Sequence, residues 1–381
     1  MTRLDRGGSS EDVLITCRHF SAPQYASTII CGKSVDPPQP LIDLARKNGT
    51  TFCTVNSLRR TINPFNDVRS LISILKILSR EQPDIVHTHT SKAGIIGRWA
   101  AWLYRLGSRR HISIVHATHG HVFYGYYNPL ISWCFIAIER ITARITDRII
   151  VLTPTEVRDH LQRHIGLPEQ FTVIHSGITY QAPSHQNRRK ELGIASSALV
   201  VGSVGRFDPV KGFDIFVDAA RELHRTHPQM YFLLVGDGSQ RLMLTKRIET
   251  YGITERCIIT GWQDDPASYI TAMDIYVQSS LNEGLGKTIL TAQYLKKPIV
   301  ATAVQGIKSL IDHEVTGLLV AAGDSTALSA AIDKLATDPE LRATLGKNAF
   351  DKITEKNPES GNFRFSEEEM LYLNEKLYQS I

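Results

Sequence analysis

Short runs of valine, isoleucine and leucine alternate along the chain with longer stretches whose apolar residues recur at helical spacing. The short runs are typical of strands buried on both faces of a sheet, and the longer stretches are typical of amphipathic helices. The predicted strands are 27–31, 51–55, 84–87, 113–117, 148–152, 171–175, 198–204, 231–236, 257–259, 275–277 and 298–301. The predicted helices are 67–80, one ending near 106, 211–226, 239–250, 286–296, 324–336, 339–354 and 366–380. This alternation predicts parallel sheets covered by helices, which is an α/β fold.

The chain has 381 residues, which is long enough for two domains that each bury a core. The polar stretch 179–189 has no apolar periodicity and is typical of an interdomain linker. We therefore predict two Rossmann-like domains, 1–180 and 181–365, with ligands bound at the carboxyl ends of their strands.

One expected element is missing at the start of the chain. Gly7 and Gly8 precede a helix-like segment, and in a doubly wound domain such a loop follows an apolar strand. Only MTRLDR stands before it. Either the first domain lacks this strand, or the sequence begins downstream of the natural start.

Composition narrows the class of protein. No run of 18 apolar residues is present, and the N-terminus has no apolar segment typical of a signal peptide. The five cysteines are scattered, with no C-x-x-C pair, which argues against a disulfide framework or structural zinc. These features predict a cytoplasmic protein.

The charge is unevenly distributed. The net charge is +5, but residues 1–180 carry +8 and the remainder carries −3. A basic first half suits nucleic acid, an anionic membrane face or a phosphorylated substrate, and ordinary surface charge is the alternative. The basic residues form no aromatic-interleaved patch, which argues against nucleic acid.

Candidate chemistry lies where predicted strands end. In the first half these residues are His87, His89, Lys92, His119 and His121, and in the second half they are Arg206, Lys211 and Glu283. Two cations after one strand suit a diphosphate. The alternatives are that Arg206 pairs with Asp208 and that the histidines are structural. The histidines lack zinc-ligand spacing, and Gly236-Asp-Gly238 alone is weak evidence for a dinucleotide.

The segment 279–297 combines a carboxylate, two glycines and a following helix. Glu283 stands at a strand end, Gly284 and Gly286 permit close approach of a ligand to the backbone, and a helix N-terminus favours an anion. This pattern favours a site for a sugar and a phosphate together. A glycine-containing turn before a core helix is the alternative.

These segments together resemble the family 4 glycosyltransferases, which have the GT-B fold and use nucleotide-sugar donors with retention of configuration. The resemblance covers nearly the whole chain and rests on Gly7-Gly8, VHTHTSKAG, HATHGH, VIHSGI, GRFDPVKG, VGDG, SSLNEGLG, PIVAT and VTGLLV followed by GD. The sequences of the segments THTSKAG and HGHVFYGY are most similar to those of bacterial enzymes that make capsule, exopolysaccharide or O-antigen. The family's fold implies two Rossmann-like domains facing across a cleft, with 366–381 as a C-terminal helix packing on the first domain.

The resemblance also implies roles for residues. Arg206 and Lys211 would hold the donor diphosphate, with the Gly7 and Gly8 amides closing over it. Glu283 and the backbone of Gly284, Leu285, Gly286 and Lys287 would bind the donor sugar, and His119 would face the reacting centre. The donor would be a UDP- or GDP-linked sugar. We expect no cofactor and no metal, since Arg206 and Lys211 supply the positive charge and the sequence has no D-x-D element.

One position departs from the family pattern. The pattern has a second glutamate eight residues after the first, where it binds the ribose, and this chain has Thr291 there. A threonine makes one neutral hydrogen bond where a carboxylate accepts two charge-assisted ones, a loss of about 1–3 kcal/mol of donor binding.

The acceptor is expected to be a lipid-linked diphosphate, such as one on undecaprenyl, or an oligosaccharide. Lys92, with Ser91 at a helix start, is the hypothesis for contacting an acceptor diphosphate, and an ordinary surface lysine is the alternative. The amphipathic segment 128–145 is either core or the border of a lipid channel. With the basic first half, it indicates peripheral attachment to the inner face of the membrane.

Two other functions remain open at this point. The first is an impaired or non-catalytic paralogue that binds sugar nucleotides or partners, which Thr291 and the missing strand both favour. The second is a sugar-nucleotide epimerase of the same fold.

Overall fold

The computed structural model describes residues 1–21, 23–120, 129–180, 183 and 188–381. These residues form two compact units. The first comprises Met1–Gly177 together with Met370–Ile381, and the second comprises Ile178–Glu369. The strands are β1 Thr28–Cys31, β2 Thr51–Thr54, β3 Ile85–His89, β4 Ser113–Ala117, β5 Arg148–Val151, β6 Phe171–Val173, β7 Val200–Val204, β8 Tyr231–Val235, β9 Cys257–Ile259, β10 Ile275–Gln278, β11 Ile299–Thr302 and β12 Leu318–Val320.

Helices precede or follow nearly every strand. They are α1 Gly8–His19, α2 Gln39–Lys47, α3 Pro64–Glu81, α4 Ser91–Ser108, α5 Pro129–Ala143, α6 Pro154–Gln162, α7 Arg188–Glu191, α8 Phe213–Thr226, α9 Arg241–Thr250, α10 Pro266–Ala272, α11 Lys287–Tyr294, α12 Gln305–Leu310, α13 Ser325–Thr337, α14 Pro339–Ile353 and α15 Glu367–Gln379. Among the described residues, no helix is both long and apolar enough to span a membrane.

The first unit contains a parallel four-stranded sheet with the order β3-β4-β5-β6 and a parallel pair, β1-β2. Its last segment, Met370–Ile381, places Met370 and Leu377 in an apolar cluster with residues of β4 and β5, including Val115 and Ile150. Residues 1–7 form no strand. They lie beside β1, however, where the Met1 ammonium donates to the Ile30 carbonyl at 2.7 Å and the Gly32 amide donates to the Thr2 carbonyl at 3.1 Å.

The second unit is a doubly wound α/β domain. Its six strands are all parallel and have the order β12-β11-β10-β7-β8-β9. The strand order reverses between β7 and β10, and the carboxyl ends of two such strands border the usual ligand site of this architecture. The core between the sheet and α8, α9 and α13 is made of fully buried aliphatic and phenylalanine side chains.

The two Rossmann-like units with parallel sheets confirm the predicted fold class. The sequence prediction omitted several short elements, namely α2, α6, α7, α10, α12 and β12. Most of them are too short to show a clear apolar period, and three of the helices begin at or next to a proline that sets their first turn. In the predicted linker 179–189, residues 181–182 and 184–187 lie outside the described residues, and α7 begins at Arg188.

Candidate active site

The loops after β7 and β10 meet at the point where the strand order of the second unit reverses. Lys211 follows β7, and its ammonium Nζ lies 2.6 Å from Oε2 of Glu283, which follows β10. Both side chains are partly exposed, at 27% for Lys211 and 12% for Glu283. The structure thus brings together a cation and a carboxylate that lie 72 residues apart in the sequence.

Close backbone packing explains why these loops meet. Gly212 has a φ of 63°, and a Cβ at this residue would lie 2.2 Å from the Ser279 carbonyl oxygen. The Leu281 amide donates to the Val210 carbonyl at 2.8 Å, and the Ser279 hydroxyl lies within hydrogen-bond distance of the Lys211 carbonyl at 3.3 Å. A side chain at position 212 would therefore separate the two loops.

The Glu283 loop is packed equally closely on its other side. The Gly306 amide donates to the Glu283 carbonyl at 3.2 Å, and a Cβ at Gly306 would lie 2.1 Å from the Gly284 carbonyl oxygen. Leu285 is buried, and Gly286, with a φ of 89°, precedes α11, whose first residue is Lys287. The predicted sugar-binding backbone therefore forms a rigid turn at a helix N-terminus.

Two other predicted residues of the second unit have internal partners. Arg206 Nε lies 3.8 Å from Asp208 Oδ2, as the alternative interpretation of the sequence anticipated. The Thr291 hydroxyl donates to the Lys287 carbonyl one helical turn earlier, at 3.2 Å. A hydroxyl used in this way keeps its oxygen as an acceptor.

His119 lies just after β4 in the first unit, and its φ of 54° is rare for a residue with a side chain. Its Nε2 is 2.9 Å from Nδ1 of His89, which ends β3. Its Nδ1 is 3.9 Å from Oδ2 of Asp12 in α1, and this oxygen accepts a hydrogen bond from the Ser176 hydroxyl at 2.5 Å. Four elements thus meet around one imidazole.

A row of imidazoles continues from His119 into the protein. The His87 and His89 rings lie 4.1 Å apart, and His87 Nδ1 is 2.6 Å from the Tyr378 hydroxyl of α15. Burial, with the neighbouring imidazoles, lowers the pKa of His87 to about 3 and holds the pKa of His89 well below its usual value. Both rings are therefore neutral at pH 7. They line a small cavity of about 30 Å³ with Asp12, Thr16, His119, His175, Ser176 and Asn374.

A buried carboxylate supports the turn that carries His119. Glu156 of α6 accepts hydrogen bonds from the Thr118 hydroxyl at 2.5 Å and from the Leu152 amide at 2.8 Å. Burial raises the pKa of Glu156 to about 7, and its two hydrogen bonds oppose that rise. Glu156 therefore links the ends of β4 and β5.

The remaining predicted residues lie at helix starts of the first unit. Gly7, with a φ of 145°, precedes α1 and Gly8 begins it. Ser91 begins α4, and the Lys92 ammonium lies 2.7 Å from the Asp67 carboxylate of α3. His121 is outside the described residues. Within the part of the chain that the structure describes, no group of three or more His, Cys, Asp or Glu side chains is arranged to hold a metal ion.

The sequence prediction missed the residues that support the candidate site. Asp12, Glu156 and Gly306 each lie inside a helix, where no sequence motif marks them as site residues. A usable signal existed for one group only: β10 has polar residues at alternate positions of an otherwise apolar strand, Tyr276, Gln278 and, just beyond it, Ser280. Such alternation is unexpected in a strand buried on both faces.

Two Rossmann-like units with parallel sheets are the architecture of the GT-B class of glycosyltransferases. The family model for glycosyltransferase family 4 matches residues 6–181, and the model for glycosyl transferases group 1 matches residues 184–352. A UDP-Gal:alpha-D-GlcNAc-diphosphoundecaprenol alpha-1,3-galactosyltransferase of Escherichia coli is 30% identical over 338 residues, covering 87% of this chain and 84% of the relative. The capsular polysaccharide biosynthesis glycosyltransferase CapM of Staphylococcus aureus is 24% identical, covering 78% and 79%.

Solved structures share the fold at low sequence identity. Anabaena HepE in complex with UDP-glucose superposes with a TM-score of 0.79 at 20% identity, covering 100% of this chain and 98% of that one. WaaG, a glycosyltransferase involved in lipopolysaccharide biosynthesis, superposes with a TM-score of 0.75 at 18% identity, covering 100% and 97%. The chain belongs to glycosyltransferase family 4. It is a glycosyltransferase similar to bacterial enzymes of lipopolysaccharide core and capsular polysaccharide biosynthesis.

Proposed function

We propose that the protein is a retaining glycosyltransferase that moves a hexose or hexose derivative from a nucleotide-diphosphate sugar to a lipid-linked or oligosaccharide acceptor in cell-surface polysaccharide synthesis. The observation that carries this proposal is the Lys211–Glu283 pair, 2.6 Å apart at the carboxyl ends of β7 and β10. A diphosphate is bound by a cation, and sugar hydroxyls are bound by a hydrogen-bond acceptor. Lys211 supplies the cation and Glu283 supplies the acceptor, side by side.

The charges suit the reaction. As the bond from the anomeric carbon to the leaving phosphate breaks, negative charge grows on the diphosphate and positive charge grows on the sugar. Lys211, with Arg206 on the same loop, stabilises the leaving diphosphate, and Glu283 orients the sugar through its hydroxyls. In this proposal His119 acts at the reacting centre, and the Gly7 and Gly8 amides close over the diphosphate.

The Escherichia coli relative indicates which substrates to test first. Its name gives a UDP-galactose donor and a GlcNAc-diphosphoundecaprenol acceptor. The same chemistry would suit this chain, since a lipid diphosphate acceptor needs a second anion site. We propose Lys92 and Ser91 at the start of α4 for that site. Lys92→Ala should raise the acceptor KM with the donor KM unchanged, and Asp67→Asn, which removes the ion-pair partner of Lys92, is the control that keeps the cation.

The experiment is a screen of UDP- and GDP-sugars by calorimetry, followed by turnover with the best donor and a GlcNAc-diphosphate lipid. Glu283→Ala and Lys211→Met should each weaken donor binding about tenfold or more, as expected for loss of a charged partner. Lys334→Ala, which changes an exposed lysine of the same unit, is the control. An unchanged donor affinity in both site variants would contradict the proposal.

The product distinguishes the competing functions. NMR of the new glycosidic bond should show the anomeric configuration of the donor, as retention requires. Donor binding without turnover on any acceptor would favour a non-catalytic sugar-nucleotide-binding paralogue. Conversion of the donor sugar without acceptor would favour an epimerase.

We further propose that transfer needs no metal ion, because Arg206 and Lys211 supply the positive charge. Dialysis against EDTA should leave kcat/KM unchanged. Loss of activity in EDTA that Mg²⁺ or Mn²⁺ restores would contradict this part of the proposal.

We propose a cytoplasmic protein that attaches peripherally to the inner face of the membrane. One face of α5 packs inward through Glu139 and Thr142, and its other face exposes Leu130, Trp133 and Ile141 beside arginines. Apolar anchors flanked by cations suit an anionic lipid surface. Trp133→Ser should reduce co-sedimentation with vesicles containing phosphatidylglycerol, whereas Leu242→Ser, at an exposed leucine of the second unit, should not. Equal binding by both variants would contradict membrane docking through α5.

A further inference from the structure

Strand β10 and the second residue after it carry a row of buried polar side chains at alternate positions. Tyr276, Gln278 and Ser280, here called the polar row, are 0%, 3% and 0% exposed. Ile275 and Val277, at the alternate positions of β10, pack in the apolar core. Buried polar side chains in a central parallel strand are unfavourable unless each finds hydrogen-bond partners, so the row needs an explanation.

The polar row forms a directional chain of hydrogen bonds. The Tyr276 hydroxyl donates to Gln278 Oε1 at 2.8 Å, and the Thr288 hydroxyl donates to the same oxygen at 3.3 Å. Because two hydroxyls donate to its oxygen, the Gln278 amide turns its nitrogen the other way. Burial raises the pKa of Tyr276, which keeps its hydroxyl protonated as a donor.

The chain ends on Glu283. Gln278 Nε2 donates to the Ser280 hydroxyl at 2.7 Å and lies 3.5 Å from Glu283 Oε2, and the Ser280 hydroxyl donates to that oxygen at 3.2 Å. Lys211 contacts the same oxygen at 2.6 Å. A carboxylate held through one oxygen by donors from two directions has a fixed orientation, which selective binding of sugar hydroxyls requires.

We propose that Gln278, itself oriented by Tyr276, is a positioning residue that fixes the Glu283 carboxylate for the donor sugar. The inference rests on the proposed function, in which Glu283 binds the sugar. Gln278 touches neither the sugar nor the reacting atoms in this proposal, and it acts only through Ser280 and Glu283.

The test compares three variants in transfer from UDP-galactose. Gln278→Leu removes the amide donor, so kcat/KM for the donor should fall about tenfold, consistent with a lost hydrogen bond to a charged group. Tyr276→Phe removes the donor that orients the amide and should cause a smaller fall. Gln293→Leu changes another fully buried glutamine of the same unit, whose amide donates to the Leu310 carbonyl, and should leave kcat/KM unchanged.

A fourth variant, Gln278→Glu, gives a readout that a merely structural role would not produce. Two adjacent buried carboxyl groups share one proton, so a protonated Glu at position 278 can donate in place of the amide. When both ionise, their repulsion turns Glu283 away. The activity of Gln278→Glu relative to wild type should therefore be near one at pH 5.5 and fall at least tenfold by pH 8.5. A ratio independent of pH would overturn the proposal.

A structural readout keeps this inference separate from the proposed function. Crystal structures of unliganded wild type and Gln278→Leu should show the Glu283 carboxylate turned away from Lys211 in the variant. An unmoved carboxylate would overturn the positioning role, whatever the activity. Absence of transfer by the wild type from any sugar nucleotide would instead refute the proposed function.

Discussion

At the scale of single residues, burial is the main cause of the pKa shifts of the histidines and the glutamate near His119. His87 and His89 are neutral because desolvation lowers the pKa of each imidazole, and Glu156 has a raised pKa because it is buried in the same unit. These groups surround the turn that carries His119. Of these three groups, Glu156 is the one whose pKa lies near neutral pH.

The Glu156 carboxyl should make stability fall as pH rises. Its pKa is 4.5 in ordinary surroundings and about 7 when folded. Between these values the folded protein holds a proton that the unfolded chain has released, so the free energy of unfolding decreases with pH, by about 3 kcal/mol in total once both states are ionised. Glu156→Gln does not titrate. Its amide oxygen can accept from the Leu152 amide, and its NH2 group can donate to the Thr118 hydroxyl, which then becomes the acceptor of that hydrogen bond.

The measurement is the Tm of Glu156→Gln minus that of wild type, taken from pH 5 to pH 8. This difference should rise across the range, with most of the rise complete near pH 7. Glu169→Gln changes an exposed carboxylate of the same unit, and its difference from wild type should stay constant. A constant difference for Glu156→Gln as well would show that this carboxylate is not the cause.

Thr291 is a second residue whose replacement should change a measurable property, the affinity for the nucleotide. Thr291 lies on α11, and its hydroxyl donates to the Lys287 carbonyl at 3.2 Å. Thr291→Glu should tighten binding of the nucleoside diphosphate five- to 150-fold, the equivalent of about 1–3 kcal/mol, because the carboxylate would accept hydrogen bonds from the ribose hydroxyls. Calorimetry with UDP measures this, with Thr291→Gln as the uncharged control. Unchanged affinity would mean that threonine at this position is no defect.

At the scale of elements, a buried ion pair joins α4 to α5. Arg98 has no exposed side-chain surface, and its Nη2 donates to both oxygens of Glu139, at 2.9 and 2.7 Å. Arg98 Nε also donates to the Gly94 carbonyl at 3.0 Å. Such a pair is costly to break, because either charge left alone stays buried without a partner.

Glu139→Ala should lower the free energy of unfolding by about 3–5 kcal/mol. The double variant Arg98→Met with Glu139→Leu should recover most of this loss, since it removes both charges and restores apolar contact. Urea unfolding monitored in the first unit measures both. Asp43→Ala breaks an exposed pair with Arg46 in the same unit and should change stability little. A loss below about 1 kcal/mol in Glu139→Ala would contradict the role given to this pair.

At the scale of the whole molecule, the end of the chain belongs to the first unit. Met370–Ile381 contributes Met370 and Leu377 to the cluster on β4 and β5, and Tyr378 to the imidazole row. The first unit is therefore completed by a segment that follows the entire second unit in the sequence.

Removing residues 370–381 should destabilise the first unit selectively, because the apolar cluster around Val115 and Ile150 becomes exposed. Hydrogen exchange should show lost protection of amides in β4 and β5 and unchanged protection in β7 and β8. Gln379→Ala, at the exposed end of α15, is the control. Unchanged protection in β4 would mean that the first unit does not need this helix.

Patterns along the chain predicted the α/β class, nearly all strands of both units, and the positions of Lys211, Glu283 and His119 just after strands. These follow from local patterns, because apolar periodicity and turn residues act over a few positions along the chain. The contacts between distant segments come from the tertiary fold: Lys211 with Glu283, Ser176 with Asp12, and His87 with Tyr378 across 291 residues. Strand order and close glycine packing create these contacts, and no local pattern encodes which strands become neighbours.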